Sequence, residues 1–343
     1  MKINITKHRL IGEGYPCYIV MDVGANHNGD FNQAKELIIS AAKNGADAIK
    51  FQTYTAEKLY SKKTPTFSKD DWNPFDLIRK YQHPRDWLPL LNDIANENNI
   101  DFTSSPFDYD AVDLLDEIDV PFYKIASPEI VDLELIEYIA KKQKSIVLST
   151  GMSYLADIED AVRVILKNDN DKIILLHCNT LYPTPIEAVN LKALQTLKET
   201  FKFPGGFSDH TLGIHISLAA VSMGANVIEK HFTLDKSDRG PDHAFSIEPQ
   251  ELKELVTKIR EIESAMGSGI KEPHKLELAE NFEKGRRSIL AAQDIPKGTI
   301  ISKDMLIVKR PGYGIQPKFI NLIKGRKAKV DIEEDQWITW DMV

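Results

Sequence analysis

The sequence predicts an α/β protein: a (β/α)8 TIM barrel followed by a small C-terminal β-rich module. Three observations carry this. Eight short β-branched runs alternate with helix-patterned segments over roughly the first 267 residues; each run ends in polar or charged residues; and beyond that point Pro-Gly turns and short strands replace the alternation. Eight βα units in about 250 residues match the size of such a barrel. An open doubly wound sheet is the alternative, but its phosphate turn, GxGxxG, is missing after the first run.

In chain order the runs are CYIVMDVG (17–24), DAIKFQTY (47–54), IDFTSSPF (100–107), PFYKIAS (121–127), SIVLSTG (145–151), KIILLHCN (172–179), PGGFSD (204–209) and VIEKHFT (227–233). Between them lie NQAKELIISAAKNG (32–45), DAVDLLDEID (110–119), LELIEYIAKKQ (133–143) and LGIHISLAAVSMG (212–224). Several close on Gly or Asn, residues that end helices. QELKELVTKIREIESAMG (250–267) completes the series. The barrel is therefore expected over 1–267, a polar linker with a short helical piece over 268–284, and the separate module over 285–343.

Bulk properties narrow the function. Hydrophobic residues make up 42% and charged residues 27%, the profile of an ordinary globular chain. The formal charge, 43 − 51 = −8, argues against a nucleic-acid partner. It leaves room for an anionic small substrate, because a few lysines focused in one cleft can overrule the global sign. Two cysteines, Cys17 and Cys178, form no CxxC pair and no disulfide framework, which points to a reducing cytoplasm. The N-terminus has no apolar signal-peptide core, and no stretch approaches the roughly 18–20 apolar residues a membrane helix needs.

Chemistry in such barrels gathers at the C-terminal strand ends. Along VIEKHFTLDK, alternation puts Val227, Glu229 and His231 on one face, with Ile228, Lys230 and Phe232 on the other. The other strand ends offer Asp22, Asn26 and His27; Lys50 and Gln52; Ser104 and Ser105; Lys124, Ser127 and Glu129; Ser149 and Thr150; Asn179, Thr180 and Tyr182; and Ser208, Asp209 and His210. A single strand-end Ser is more often a helix N-cap than a ligand group. Lys50 and Lys124 are different, because they sit inside apolar runs and a buried ammonium needs an anionic partner. Two lysines with several hydroxyls suit a phosphate or carboxylate. His210 and His231 end neighbouring strands, and two imidazoles with nearby oxygen donors suit Mn, Fe or Zn. The opposing reading is two unrelated histidines bonded to backbone. His27 is read as ordering a turn or facing the site, and His177 as a core hydrogen-bonder.

Ten stretches, MDVGANHNGD, AIKFQTY, SSPFD, YKIASPE, LSTGM, HCNTLYPTP, GFSDHTLG, VIEKHFT, RGPDH and VKRPGYGI, occur in an order and spacing that resembles the sialic acid synthase (NeuB) family. The resemblance spans nearly the whole chain, and its C-terminal part resembles the antifreeze-like (SAF) domain of those enzymes. It implies a phosphoenolpyruvate-dependent synthase that condenses that enol ester with N-acetylmannosamine or a related 2-acetamido sugar, releasing phosphate. Acceptors of the 2,4-diacetamido-6-deoxy type would give legionaminate or pseudaminate, and RGPDH leans toward the neuraminate and legionaminate branches.

By the same resemblance, Lys50, Ser105, Lys124, Ser127, Ser149, Thr180 and Ser208 line the phosphoenolpyruvate pocket. Gln52, Tyr182 and Asp242 contact the sugar. Arg310 reaches in from a partner chain in a domain-swapped homodimer. His210 and His231 hold a divalent metal, Mn2+ or Mg2+, with no organic cofactor. Asp22, Glu129 and Glu229 are the catalytic carboxylates, Asp22 standing where the family commonly has Glu. The rival enzyme reading is a 3-deoxy-ulosonate-phosphate synthase, which needs an extra basic pocket and no SAF module. The non-enzymatic reading is a degenerate scaffold carrying a binding module.

Overall fold

The chain opens with an antiparallel hairpin, β1 (Lys2–Thr6) and β2 (Arg9–Gly12), followed by eight parallel strands. These are β3 (Tyr18–Asp22), β4 (Ala48–Thr53), β5 (Asp101–Pro106), β6 (Phe122–Ile125), β7 (Ser145–Ser149), β8 (Ile173–Cys178), β9 (Gly205–Asp209) and β10 (Val227–His231). The computed structural model describes residues 1–6, 9–66 and 73–343, which divide into two units, Met1–Gly267 and Ser268–Val343.

In the first unit the strand order is β5-β4-β3-β10-β9-β8-β7-β6, so sequence neighbours are sheet neighbours, with helices between them, as the (β/α)8 reading requires. The two ends of the sheet meet at β5 and β6. Thr103 Oγ1 donates to the carbonyl of Phe122 at 2.6 Å across that gap, nearly closing the barrel.

Both faces of the strands are buried because helices cover the outside and side chains fill the inside. Outward residues such as Ile19, Ile49, Phe102, Ile146, Leu175 and Ile228 pack into one large core under the helices. The helix predicted over 32–45 runs Phe31–Lys43: Asp30 caps its first turn through Asn32 N at 2.8 Å, and Ala34, Leu37, Ile38 and Ala41 form its buried stripe. Helices Trp87–Glu97, Leu155–Lys167 and Ala193–Phe201 fill further places in the alternation.

The inward residues at the N-terminal end of the barrel form a second core of Tyr18, Val20, Ala48, Phe122, Val147, Ile174, Leu176 and Val227. Ile3, Ile5 and Ile11 of the hairpin join it and plug that end. The opening segment, read in the sequence only for its lack of a signal-peptide core, is thus part of the barrel's floor.

In the second unit β11 (Ser288–Ala291) and β12 (Leu306–Lys309) pair antiparallel over a small core that includes Ile289, Ile295, Ile301, Ile315, Ile332 and Ile338. The stretch read as linker carries two short helices, Lys275–Glu280 and Phe282–Gly285, neither of which buries a residue. No helix among the described residues is long and apolar enough to cross a membrane.

Candidate active site

Register sets the site. Asp22 of β3 lies beside His231 of β10 on one side and Lys50 of β4 on the other, and Glu229 lies beside Ser208 of β9. Their side chains all point into the C-terminal mouth of the barrel, where charge replaces the apolar filling below.

The two lysines converge. Lys50 and Lys124 are 3% and 2% exposed and share one counter-ion: Glu229 Oε2 lies 3.4 Å from Lys50 Nζ, and Oε1 lies 3.6 Å from Lys124 Nζ. Lys50 also pairs with Asp22 Oδ2 at 2.8 Å, and Lys124 donates to Ser149 Oγ at 2.7 Å. Ser208 Oγ donates to Glu229 Oε1 at 2.8 Å.

Their unequal surroundings separate the two ammonium groups. Burial disfavours the charge on Lys50, but Asp22 and Glu229 outweigh it and push its pKa up to about 12. For Lys124 burial, reinforced by the neighbouring Lys50 charge, prevails over Glu229, and its pKa falls below the ordinary lysine value. The carboxylates respond in kind. Burial would raise Asp22, but Lys50 and His231 hold it well below the usual range; burial would raise Glu229, but Lys124 and Lys50 hold it down. Glu129 makes no ion pair among the described residues, and the pull of Lys124 on it is weaker than burial. Burial dominates there, and its carboxyl is pushed up to about 7.

Two hydroxyls at the strand ends have spare capacity. Ser105 Oγ and Thr180 Oγ1 are buried with no hydrogen-bond partner, as is Glu129 Oε2. Ser127 Oγ accepts from Gly151 N at 2.9 Å. A Cβ at Gly151 would sit 2.6 Å from Thr180 Oγ1 and 2.8 Å from Ser127 Oγ, so the glycine of LSTGM makes room for both hydroxyls. Buried donors without partners are costly, which marks them as awaiting a ligand.

The histidines lie against each other, with ring centroids 5.3 Å apart, and the Tyr182 ring packs 4.3 Å from that of His210. His210 Nδ1 bonds the carbonyl of Asn179 at 2.7 Å. A carbonyl only accepts, so Nδ1 carries a proton and Nε2 is the nitrogen that can offer a lone pair when the ring is neutral. Burial opposes charge on this ring, but Cys178 and the Asn179 carbonyl outweigh it and raise its pKa. His231 places Nε2 3.4 Å from Asp22 Oδ2, while its buried Nδ1 has no hydrogen-bond partner. Burial, opposed by Asp22 and Asp242, lowers the His231 pKa and keeps the ring neutral, the form that binds metal.

Among the described residues no group of three or more His, Cys, Asp or Glu side chains has a metal-holding arrangement. His231 Nδ1, buried without a partner, and His210 Nε2 are the imidazole nitrogens that would hold a divalent cation, leaving its other positions to water and substrate.

Asp242, from the loop after β10, joins this cluster. Its Oδ2 accepts from Ala25 N at 2.8 Å and lies 3.8 Å from His231 Nδ1. Gln52 Nε2 donates to Asp22 Oδ2 at 3.3 Å. The turn after β3 works only with glycine: Gly24 has φ +52°, and a Cβ there would lie 2.3 Å from Asp242 Oδ2 and 2.9 Å from the His231 ring.

Other strand-end candidates face elsewhere. Asn26 ties the carbonyl of Phe232 to Ser246, and Ser104 bonds Thr53. His27 does order a turn, through Gly29 N, and it packs among Phe51, His83 and Trp87. His177 bonds the carbonyl of Val189 at 2.7 Å. Asp209 turns away from the mouth and pairs with Lys230. Arg310 is exposed, just past the end of β12 in the second unit.

Sequence reasoning passed over Gly24, Gly151 and Cys178. The alternation that sends His177 outward sends Cys178 inward, beside Ser208 in register and 4.0 Å from His210 Nδ1.

Comparison with known proteins follows the same lines. The NeuB family profile matches residues 37–271 and the SAF domain profile residues 286–343. An N,N'-diacetyllegionaminic acid synthase of Campylobacter jejuni is 47% identical over 328 residues, 93% of this chain and 98% of that protein. A human N-acetylneuraminate-9-phosphate synthase is 38% identical over 350 residues, 100% and 97% of the two chains. The crystal structure of N-acetylneuraminic acid synthetase from Leptospira borgpetersenii, in complex with citrate, superposes with a TM-score of 0.74 at 37% identity, covering 82% of this chain and 95% of that one.

Proposed function

The chain belongs to the NeuB family and ends in a SAF domain, and from that premise we propose that it condenses phosphoenolpyruvate with an unphosphorylated 2-acetamido sugar, N-acetylmannosamine or a relative, to give a nine-carbon nonulosonic acid and phosphate. The enzyme is a transferase that forms a carbon–carbon bond. One observation carries the substrate reading: two buried lysines converge on Glu229 at the strand ends, where the Ser105 and Thr180 hydroxyls have no partner of their own. A doubly anionic enol ester offers acceptors to both the ammonium groups and the unpartnered hydroxyls.

Lys50 and Lys124 hold the phosphate and carboxylate, with Ser105, Ser127, Ser149, Thr180 and Ser208 as neutral donors. C3 of the enol ester then faces the aldehyde carbon of the open-chain sugar, so the reaction becomes effectively unimolecular. Gln52, Tyr182 and Asp242 orient the sugar. A divalent cation on His210 and His231, Mn2+ or Mg2+, supplies Lewis-acid polarisation when bound. As the C2–C3 π pair forms the new bond, positive charge develops at C2, within the field of Glu229 and Asp22. Water adds at C2, and the phosphate leaves with cleavage of its C–O bond. Glu129, titrating at about 7, is suited to give and take the protons. Arg310 acts on the barrel of a second copy.

A second acceptor, a 2,4-diacetamido-6-deoxy hexose leading to legionaminate, is favoured by the 47% identity to the Campylobacter jejuni enzyme. The test is phosphate release from phosphoenolpyruvate with a panel of unphosphorylated acetamido sugars and phosphorylated aldoses, followed by product mass. Release with an unphosphorylated acetamido sugar supports the proposal. Release only with a phosphorylated aldose, or none at all, overturns it. Full activity in chelator removes the metal, and failure of Arg310→Ala chains to complement Lys124→Ala chains on mixing removes the exchanged arginine.

A further inference from the structure

Behind the two histidines, on the outward side of β9 and β10, lies an ion pair the proposed chemistry does not touch. Alternation along each strand turns Asp209 and Lys230 away from the mouth that His210 and His231 face. Lys230 Nζ lies 3.1 Å from Asp209 Oδ2, and neither side chain has any exposed surface.

The pair is wired to the backbone around His210. Lys230 Nζ donates to the carbonyl of Thr211 at 2.7 Å and to that of Asp209 at 3.5 Å, the two residues flanking His210. Asp209 Oδ1 accepts from Thr211 N and Thr211 Oγ1, both at 2.8 Å, and Oδ2 accepts from Ser217 Oγ at 2.5 Å on the following helix. Since Lys230 directly precedes His231, these bonds join the backbone on both sides of one imidazole to the residue beside the other.

Stability does not explain such a pair. Desolvating two charges costs several kcal/mol, and well-packed apolar residues of similar volume often hold a site as firmly. What apolar packing cannot supply is direction. We propose that Asp209 and Lys230 are positioning residues that fix the separation and orientation of His210 and His231 for a shared divalent cation. This rests on the metal reading given above.

The test is Mn2+ titration of metal-free protein, followed by calorimetry and by the free-ion EPR signal. It compares wild type, His210→Ala, and the volume-matched double variant Asp209→Leu with Lys230→Met, with thermal unfolding recorded alongside. The expected result is a cooperatively folded double variant whose dissociation constant for Mn2+ rises by about 10–100-fold. Affinity for phosphoenolpyruvate in the absence of metal should stay within about threefold, since a fold-wide loosening would weaken both. Asp209→Asn, which keeps the size and loses the charge, should shift Mn2+ affinity in the same direction and serves if the double variant does not fold. A folded variant that binds Mn2+ as wild type does overturns the positioning role and leaves the metal reading intact. Wild type binding no Mn2+, or His210→Ala binding it equally well, overturns the metal reading and this inference with it.

Discussion

The two ends of the barrel are made by the same strands and the same alternation, yet they are filled in opposite ways. At the N-terminal end the inward positions are Tyr18, Val20, Val147, Ile174 and Val227, sealed by Ile3, Ile5 and Ile11 of the hairpin. One or two inward steps further along the strands stand Asp22, Lys50, Lys124, Ser149, Glu229 and His231. Water is excluded at both ends, but only the lower one gains free energy from that exclusion. The upper end must balance its buried charges against one another, and its orphaned hydroxyls stay unbalanced until a ligand arrives. Stability is concentrated below, chemistry above.

Substitutions at the two ends should therefore fail differently. The largest effect is expected at the mouth. Lys124→Ala should lower kcat about 10²–10³-fold in the phosphate-release assay. Lys50→Met should also destabilise the fold by about 3–5 kcal/mol in denaturant titration, because Asp22 and Glu229 lose their shared cation. An active Lys124→Ala enzyme would break the comparison outright.

Gly24→Ala comes next. The added Cβ displaces Asp242 or His231, and a misplacement on the order of 1 Å costs about 10²-fold in rate, while unfolding temperature should change far less. At the floor the pattern inverts. Ile11→Ala should cost about 2–5 kcal/mol of stability with kcat and KM unchanged at a temperature where the variant is folded. A changed KM there would mean that the floor communicates with the site.

The smallest effect is a pH dependence. Glu129 titrates near 7 in the folded chain against an ordinary 4.5, so the folded state keeps a proton the unfolded state has lost. Stability contributed at this position falls as pH rises through that window. Glu129→Gln should therefore gain stability over wild type as pH climbs from 4.5 to 7, with the gap closing below 4.5. Parallel stability curves for the two proteins would show that burial does not govern this carboxyl.

Much of this was legible in the chain. Lys50 and Lys124 stood out because cations interrupt apolar runs, and His210 and His231 because both end strands. The hairpin floor was not legible, since KINIT is too short a pattern to reveal what it covers. Glu229 was legible as a carboxylate on the face of His231, but its double engagement was not. Lys50, Lys124 and Glu229 come from strands that are far apart in sequence, and only closure of the barrel brings them together. The same holds for Asp209 and Lys230, whose bond depends on the register between β9 and β10.

By itself, then, the sequence determined the alternation of strands and helices, the polar strand ends and the family, because periodicity and residue chemistry act locally. The tertiary structure decided which charges meet, which hydroxyls are left without partners, and that Gly24 and Gly151 leave space for their neighbours. Those outcomes depend on distances between strands, and a linear order of residues does not contain such distances until the sheet curls and closes.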